Sequence, residues 1–163
     1  MTAPAEAVPV IDGWFTTGPE PALLGTRCTS CGTVFFPRAT GLCRNPACDG
    51  RELEEVELSR TGKVWSCTDA RYQPPPPYIA ADPYEPFAIA AVELAAEQLV
   101  VLGQVAEGYG VDDLSVGSTV ELVLETLHEI DGVPQLVWRW KPVAAEATPA
   151  HPSISGIPEG AVP

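Results

Sequence analysis

Four of the five cysteines lie close together, as Cys28-x2-Cys31, an eleven-residue interval, and Cys43-x4-Cys48. Two close pairs joined by a hairpin-length loop match what a tetrahedral ion demands. Each turn supplies two thiolates, and the loop brings the pairs together. Gly32 directly follows the first pair, where a positive φ lets the backbone aim amides at sulfur; Pro46 and Gly50 surround the second. The x4 gap is wider than the usual x2 and predicts a longer second turn. Disulfides are the competing reading, but they belong to oxidising compartments. The start, "MTAPAEAVPVIDGW", has neither the basic head nor the apolar stretch of a secretory signal. Cytoplasm is therefore the expected location. A redox Cys-x-x-Cys needs a helix N-terminus, whereas Gly32-Thr33-Val34-Phe35-Phe36 reads as a strand. The spacing thus favours zinc over a disulfide or redox pair. Four thiolates leave no position open for water, so the ion would be structural. Chelation is expected to unfold the cluster locally, since binding energy on the order of 10 kcal/mol in such sites is folding energy.

The chain has 163 residues, enough for one core and an accessory module. Nine Lys plus Arg against 22 Asp plus Glu give a net charge of −13, a surface that repels phosphodiester backbones. With 45% hydrophobic and 19% charged residues, and no apolar run near the ~20 residues of a membrane span, a soluble globular protein is expected.

Beyond the cysteines come strand-like segments bounded by turn residues. "GKVWSCTDARY", "PFAIAAVEL" and "QLVVLGQVAE" are rich in apolar and β-branched residues. In "STVELVLETLHEI" the alternation puts Val120, Leu122, Leu124, Thr126, His128 and Ile130 on one face. Asp131-Gly132 then predicts a hairpin turn, and "QLVWRWK" returns with Leu136, Trp138 and Trp140 inward. Asp112 is a candidate cap for a helical turn ending at Gly117. Five strands with a short element between the third and fourth predict a partly open OB barrel, with an antiparallel sandwich as the alternative. The fold class is mainly β: an N-terminal helical segment (1–26), a zinc ribbon (27–56), a five-stranded OB barrel (57–143) and a Pro/Ala/Gly-rich tail (144–163). Trp14 and Phe15 are expected to be exposed on the N-terminal segment. Between the first two barrel strands, "RYQPPPPYIAADPYEP" joins a stiff proline run to Tyr72, Tyr78 and Tyr84. A loop of that length in a compact domain tends to be functional.

The succession "LLGTRCTSCGTVFFPR", the second cysteine pair, "RTGKVWSCT", "PFAIAAVEL" and "VGSTVELVLE" resembles the rubredoxin-like zinc-ribbon plus OB-fold proteins grouped as domain-of-unknown-function family thirty-five. The resemblance covers roughly residues 12–143, and the x4 gap at Cys43–Cys48 departs from its commoner pattern. It implies an auxiliary subunit without catalytic residues of its own, paired with a thiolase or a lipid-transfer-protein-like aldolase that cleaves steroid side chains as coenzyme A thioesters. Arg38, Lys63 and Arg71 are then candidate contacts for the phosphates of an acyl-CoA. Trp14, Phe15, Tyr72, Tyr78 and Tyr84 are candidate contacts for the partner or its substrate channel. A nucleic-acid-binding module is the alternative, since ribbons and OB barrels both serve there, but Glu121, Glu125 and Glu129 oppose it. An independent enzyme lacks a recognisable constellation: His128 and His151 have no nucleophile at a suggestive spacing, and Cys67 reads as a small buried hydrophobe.

Overall fold

In the computed structural model the described residues are 6–76, 78–80 and 82–143. The predicted tail, 144–163, lies outside them. Among the described residues there are nine strands and one 3₁₀ turn: β1 (Val8–Pro9), β2 (Leu24–Cys28), β3 (Val34–Phe35), β4 (Leu53–Glu57), β5 (Thr61–Ala70), β6 (Phe87–Leu94), β7 (Leu99–Val105), the turn Val111–Asp113, β8 (Thr119–Ile130) and β9 (Val133–Pro142).

Strands β3-β2-β4 form the small antiparallel sheet of the ribbon. The last five strands run in the order β9-β7-β6-β5-β8, and pairing of β8 with β9 closes the ring. All neighbours are antiparallel except β7 and β9, which run parallel at Gln104↔Arg139 and Val105↔Trp140. This is the OB barrel, closed rather than partly open, and its closure rules out the antiparallel sandwich. Asp131 (φ 51°) and Gly132 (φ 78°) make the β8–β9 hairpin, both in the left-handed region that a two-residue turn of this hand requires.

Burial follows the period of the strands. Val120 and Leu122 on β8, and Trp138 and Trp140 on β9, face inward with Val92 and Leu94 of β6. The same hydrophobic cluster continues into the ribbon through Phe15, Leu23, Val34 and Leu58. Aromatic rings weld that junction. Trp138 of the barrel lies 5.8 Å from Trp14, 5.8 Å from Phe15 and 6.0 Å from Phe36, within the range of favourable ring contacts.

Three local expectations are corrected. Among the described residues the N-terminal segment holds no helix. Val8–Pro9 pairs parallel with β9 at Gln135 and Leu136, on an edge that β7 leaves free. After Gly13 turns the chain (φ 73°), Phe15 and Leu23 form a β-bridge, closed by Thr16 N–H to Ala22 O (2.9 Å) and Ala22 N–H to Thr16 Oγ1 (3.0 Å). Pro19 and Pro21, which cannot donate helical hydrogen bonds, sit in the loop between. Second, β8 carries a bulge between Thr126 and His128. His128 pairs with Gln135 rather than continuing the Leu122–Leu124 row, so His128 and Ile130 fall out of phase with Val120. Third, Asp113, not Asp112, closes the short turn: its Oδ2 accepts from Gly110 N–H at 2.8 Å.

Candidate functional site

Cys28 ends β2, and the chain turns at once, with Gly32 N–H bonding Cys28 O (2.9 Å) and Cys28 N–H bonding Thr33 O (3.0 Å). Gly32 takes φ 75°, the conformation expected of it. The second turn is the longer one: Cys43 N–H bonds Gly50 O and Cys48 N–H bonds Asn45 O, each at 3.0 Å. Asn45 is the organiser that the sequence reading missed. Its Oδ1 accepts from Ala47 N–H (3.0 Å), while its Nδ2 donates to Thr33 Oγ1 (3.2 Å) and reaches Cys31 Sγ (3.8 Å). The Asn-Pro pair, a common turn opener, was the available signal.

The four sulfurs lie within 4.8 Å of one another. Cys28 and Cys48 are 3.9 Å apart, and Cys31 and Cys43 are 3.7 Å apart. Four thiolates at ~2.3 Å from one Zn²⁺ would stand about 3.8 Å apart, whereas a disulfide needs ~2.05 Å. Amides point at the sulfurs, Asn45 N–H to Cys43 Sγ (3.5 Å) and Gly50 N–H to Cys48 Sγ (3.3 Å). Protonation in this cluster is uneven. Hydrogen bonds from the Thr33 hydroxyl and amide hold Cys31 down to about 6, and the Cys31 and Ser30 amides lower Cys28. At Cys43 the Asn45 amide pulls downward, but burial and the neighbouring sulfurs outweigh it and push the thiol up to about 12. Cys48 is likewise raised despite the Gly50 amide, through Cys31, burial and Cys28. Four sulfurs this close cannot all ionise without a cation among them. The donor set, spacing and electrostatics therefore fit a tetrahedral divalent ion.

A second feature opens on the barrel. The proline-tyrosine loop between β5 and β6 overhangs a cleft of about 460 Å³. Tyr78 stacks on Phe87 (5.8 Å between ring centroids), and Tyr84 donates its hydroxyl to Ala70 O at 2.5 Å. Both rings line the cleft, as does Tyr109, which the sequence reading did not single out. Its setting, "EGYGVDD", places an aromatic between two glycines, a weak signal. Tyr72 is outside the lining and largely exposed.

The remaining candidates scatter. Phe15 is buried in the core (3% exposed) and Trp14 is half-buried against Phe36 and Trp138, which corrects the expectation that both are exposed. Arg38 on the ribbon forms an ion pair with Glu55, Lys63 Nζ donates to Thr119 Oγ1 (2.7 Å), and Arg71 pairs with Asp69 (2.8 Å). Lys63 lies near one end of β5 and Arg71 just past the other, roughly 25 Å apart at ~3.3 Å per residue. The three cations do not form one phosphate site. Cys67 is half-buried and packs against the core. Among the described residues no helix is long and apolar enough to cross a membrane.

A four-cysteine ribbon fused through a common core to a closed five-stranded barrel defines a zinc-ribbon/OB-fold protein. Residues 17–54 match the ChsH2 rubredoxin-like zinc ribbon domain, and residues 55–125 match the ChsH2 C-terminal OB-fold domain. The chain belongs to the DUF35 family, in the ChsH2 arrangement of ribbon followed by barrel. It is 31% identical to a DUF35 domain-containing scaffold protein of Methanocaldococcus jannaschii, over 82% of this chain and 91% of that one. Benzoylsuccinyl-CoA thiolase subunit BbsA of Geobacter metallireducens is 36% identical over 78% of this chain and 79% of its own. Among solved structures, a chain of the Ltp2-ChsH2(DUF35) aldolase superposes with a TM-score of 0.56 at 25% identity, over 74% of this chain and 84% of that one.

Proposed function

We propose that this chain is a non-catalytic subunit that assembles with a thiolase-superfamily enzyme acting on acyl-CoA thioesters. Structural Zn²⁺ is held by Cys28, Cys31, Cys43 and Cys48. The observation that carries the reading is that both modules together, not the ribbon or the barrel alone, align with a thiolase subunit and with a chain of an aldolase complex. Within this class the partner is a lipid-transfer-protein-like aldolase that cleaves a steroid side-chain CoA thioester, in preference to a thiolase. The long aromatic loop, suited to a bulky substrate, supports that choice. Zn²⁺ supplies no chemistry to the reaction; it fixes the two turns of the ribbon relative to each other. Because Arg38 and Arg71 are already held by carboxylates, any contact they make with coenzyme A requires an exchange of partners.

Affinity capture from the native host tests the proposal. A thiolase-like chain should co-purify in fixed ratio, and withholding this chain should cost that enzyme its solubility or its turnover. Turnover of an acyl-CoA by this chain alone would refute it. Tight, salt-sensitive binding of single-stranded DNA or RNA, with no enzyme captured, would replace it with the nucleic-acid reading.

A further inference from the structure

We infer that the cleft beneath the proline-tyrosine loop receives a cationic side chain, arginine or lysine, from the partner protein. This rests on the subunit reading above and specifies the chemistry of one contact. The walls come first. Tyr78, Tyr84 and Tyr109 line a space of about 460 Å³, within the ~300–1,000 Å³ of pockets that enclose a ligand. Tyr78 is braced by Phe87, so its ring is held in place before anything arrives. Aromatic faces carry negative electrostatic potential and attract guanidinium and ammonium groups.

The charges point the same way. Asp69, Glu85 and Glu107 all line the cleft. The single cation in the described lining, Arg139, is already engaged by Glu125 at 3.0 Å, and Glu125 is further fixed by the Glu107 N–H at 3.0 Å. Arg71, which pairs with Asp69, is 80% exposed and can yield its place. An anionic occupant such as a coenzyme A phosphate would face three carboxylates and no free cation in the described lining. A purely apolar occupant would strip water from those carboxylates without replacing it. A cationic side chain satisfies walls and carboxylates together, and the net charge of −13 steers a basic surface toward this one.

Two experiments decide it. The first is an amide NMR titration of the zinc-loaded full chain with acetyl-Gly-Arg-Gly-amide and with its citrulline counterpart, which keeps the shape and lacks the charge. Saturable shifts at Phe87, Gly108 and Tyr109 are expected from the arginine peptide. Binding should weaken about tenfold or more with citrulline, and equally in the Glu85→Gln/Glu107→Gln variant. No saturable shift, equal shifts from both peptides, or stronger shifts from coenzyme A overturns the inference. The second measures assembly of the same double variant with the captured enzyme. Affinity should fall about tenfold or more and depend less on salt, at unchanged zinc content; unchanged affinity overturns the inference while leaving the subunit reading intact. Should no thiolase-like enzyme be captured, that reading fails, whereas the peptide titration still decides the chemistry of the cleft.

Discussion

Gly50→Ala tests the metal geometry with a single methyl group. A Cβ at this position would stand 2.7 Å from Cys28 Sγ and 3.0 Å from Ser30 Oγ. Heavy atoms in favourable contact sit ~3.5–4.0 Å apart, so the second turn must retreat from the first by about 1 Å. Gly50 N–H is the donor to Cys48 Sγ, and the retreat carries that ligand with it. Metal sites tolerate distance errors of only ~0.2 Å, so the strain appears as lost affinity. Overpacking of this kind costs about 1–3 kcal/mol, or roughly 5- to 150-fold in the zinc dissociation constant. No left-handed backbone is required at Gly50, so the methyl contact alone carries the effect. The assay is competition against a chromophoric chelator, backed by the absorption spectrum of the Co²⁺-substituted protein, which reports tetrahedral thiolate geometry. Gly18→Ala is the control: nothing lies within 4 Å of its Cβ, and it should leave zinc affinity unchanged. A Gly50→Ala protein with wild-type zinc affinity and an unaltered Co²⁺ spectrum would refute the approach of the two turns described above.

Cys43→Ser should release the ion and abolish capture of the enzyme partner, read by metal analysis of the purified protein and by co-purification; intact metal and assembly would contradict the four-thiolate site. Trp140→Ala removes a side chain with 0% exposure from the barrel centre and should lower stability by about 3–5 kcal/mol, measured as a drop in the urea midpoint at constant zinc. Tyr84 titrates above the usual tyrosine range, through burial first and the nearby Tyr78 and Tyr72 second. Its neutral form is therefore favoured by folding. That stabilisation is present below the unfolded value of ~10 and is lost as pH rises through the folded value. Ultraviolet titration should show one tyrosinate appearing late, and Tyr84→Phe should remove it; a late phase that persists in the variant would rule Tyr84 out as its source.

Local pattern made the barrel readable. The last two strands announce themselves through apolar alternation and the first three through apolar and β-branched enrichment, and Asp131-Gly132 marks the hairpin, because these signals depend on near neighbours in the chain. The cysteine spacing is equally local. What escaped depends on distant partners. Val8–Pro9 becomes a strand only because β9 offers a vacant edge far along the chain. Trp14 and Phe15 look like an exposed aromatic pair until Trp138 is brought against them. The bulge beyond Thr126 leaves no mark in the residue pattern, since Leu127 and His128 continue a plausible strand either way. At the cleft, Tyr78 and Tyr84 were visible beside the proline run. Tyr109 and Glu107 arrive from the end of β7 only when the barrel closes.

The junction between ribbon and barrel has a practical side for anyone dissecting the chain. Only Leu58, Ser59 and Arg60 separate β4 from β5, and Leu58 is sealed in the core with its amide on Leu23 O (2.9 Å). Glu97, from the β6–β7 hairpin, grips the amide and hydroxyl of Ser59 at 2.8 and 2.9 Å. Cutting there to express either half would lay bare Phe15, Val34 or Trp138 and yield an aggregating fragment, so truncation studies need both halves in one polypeptide.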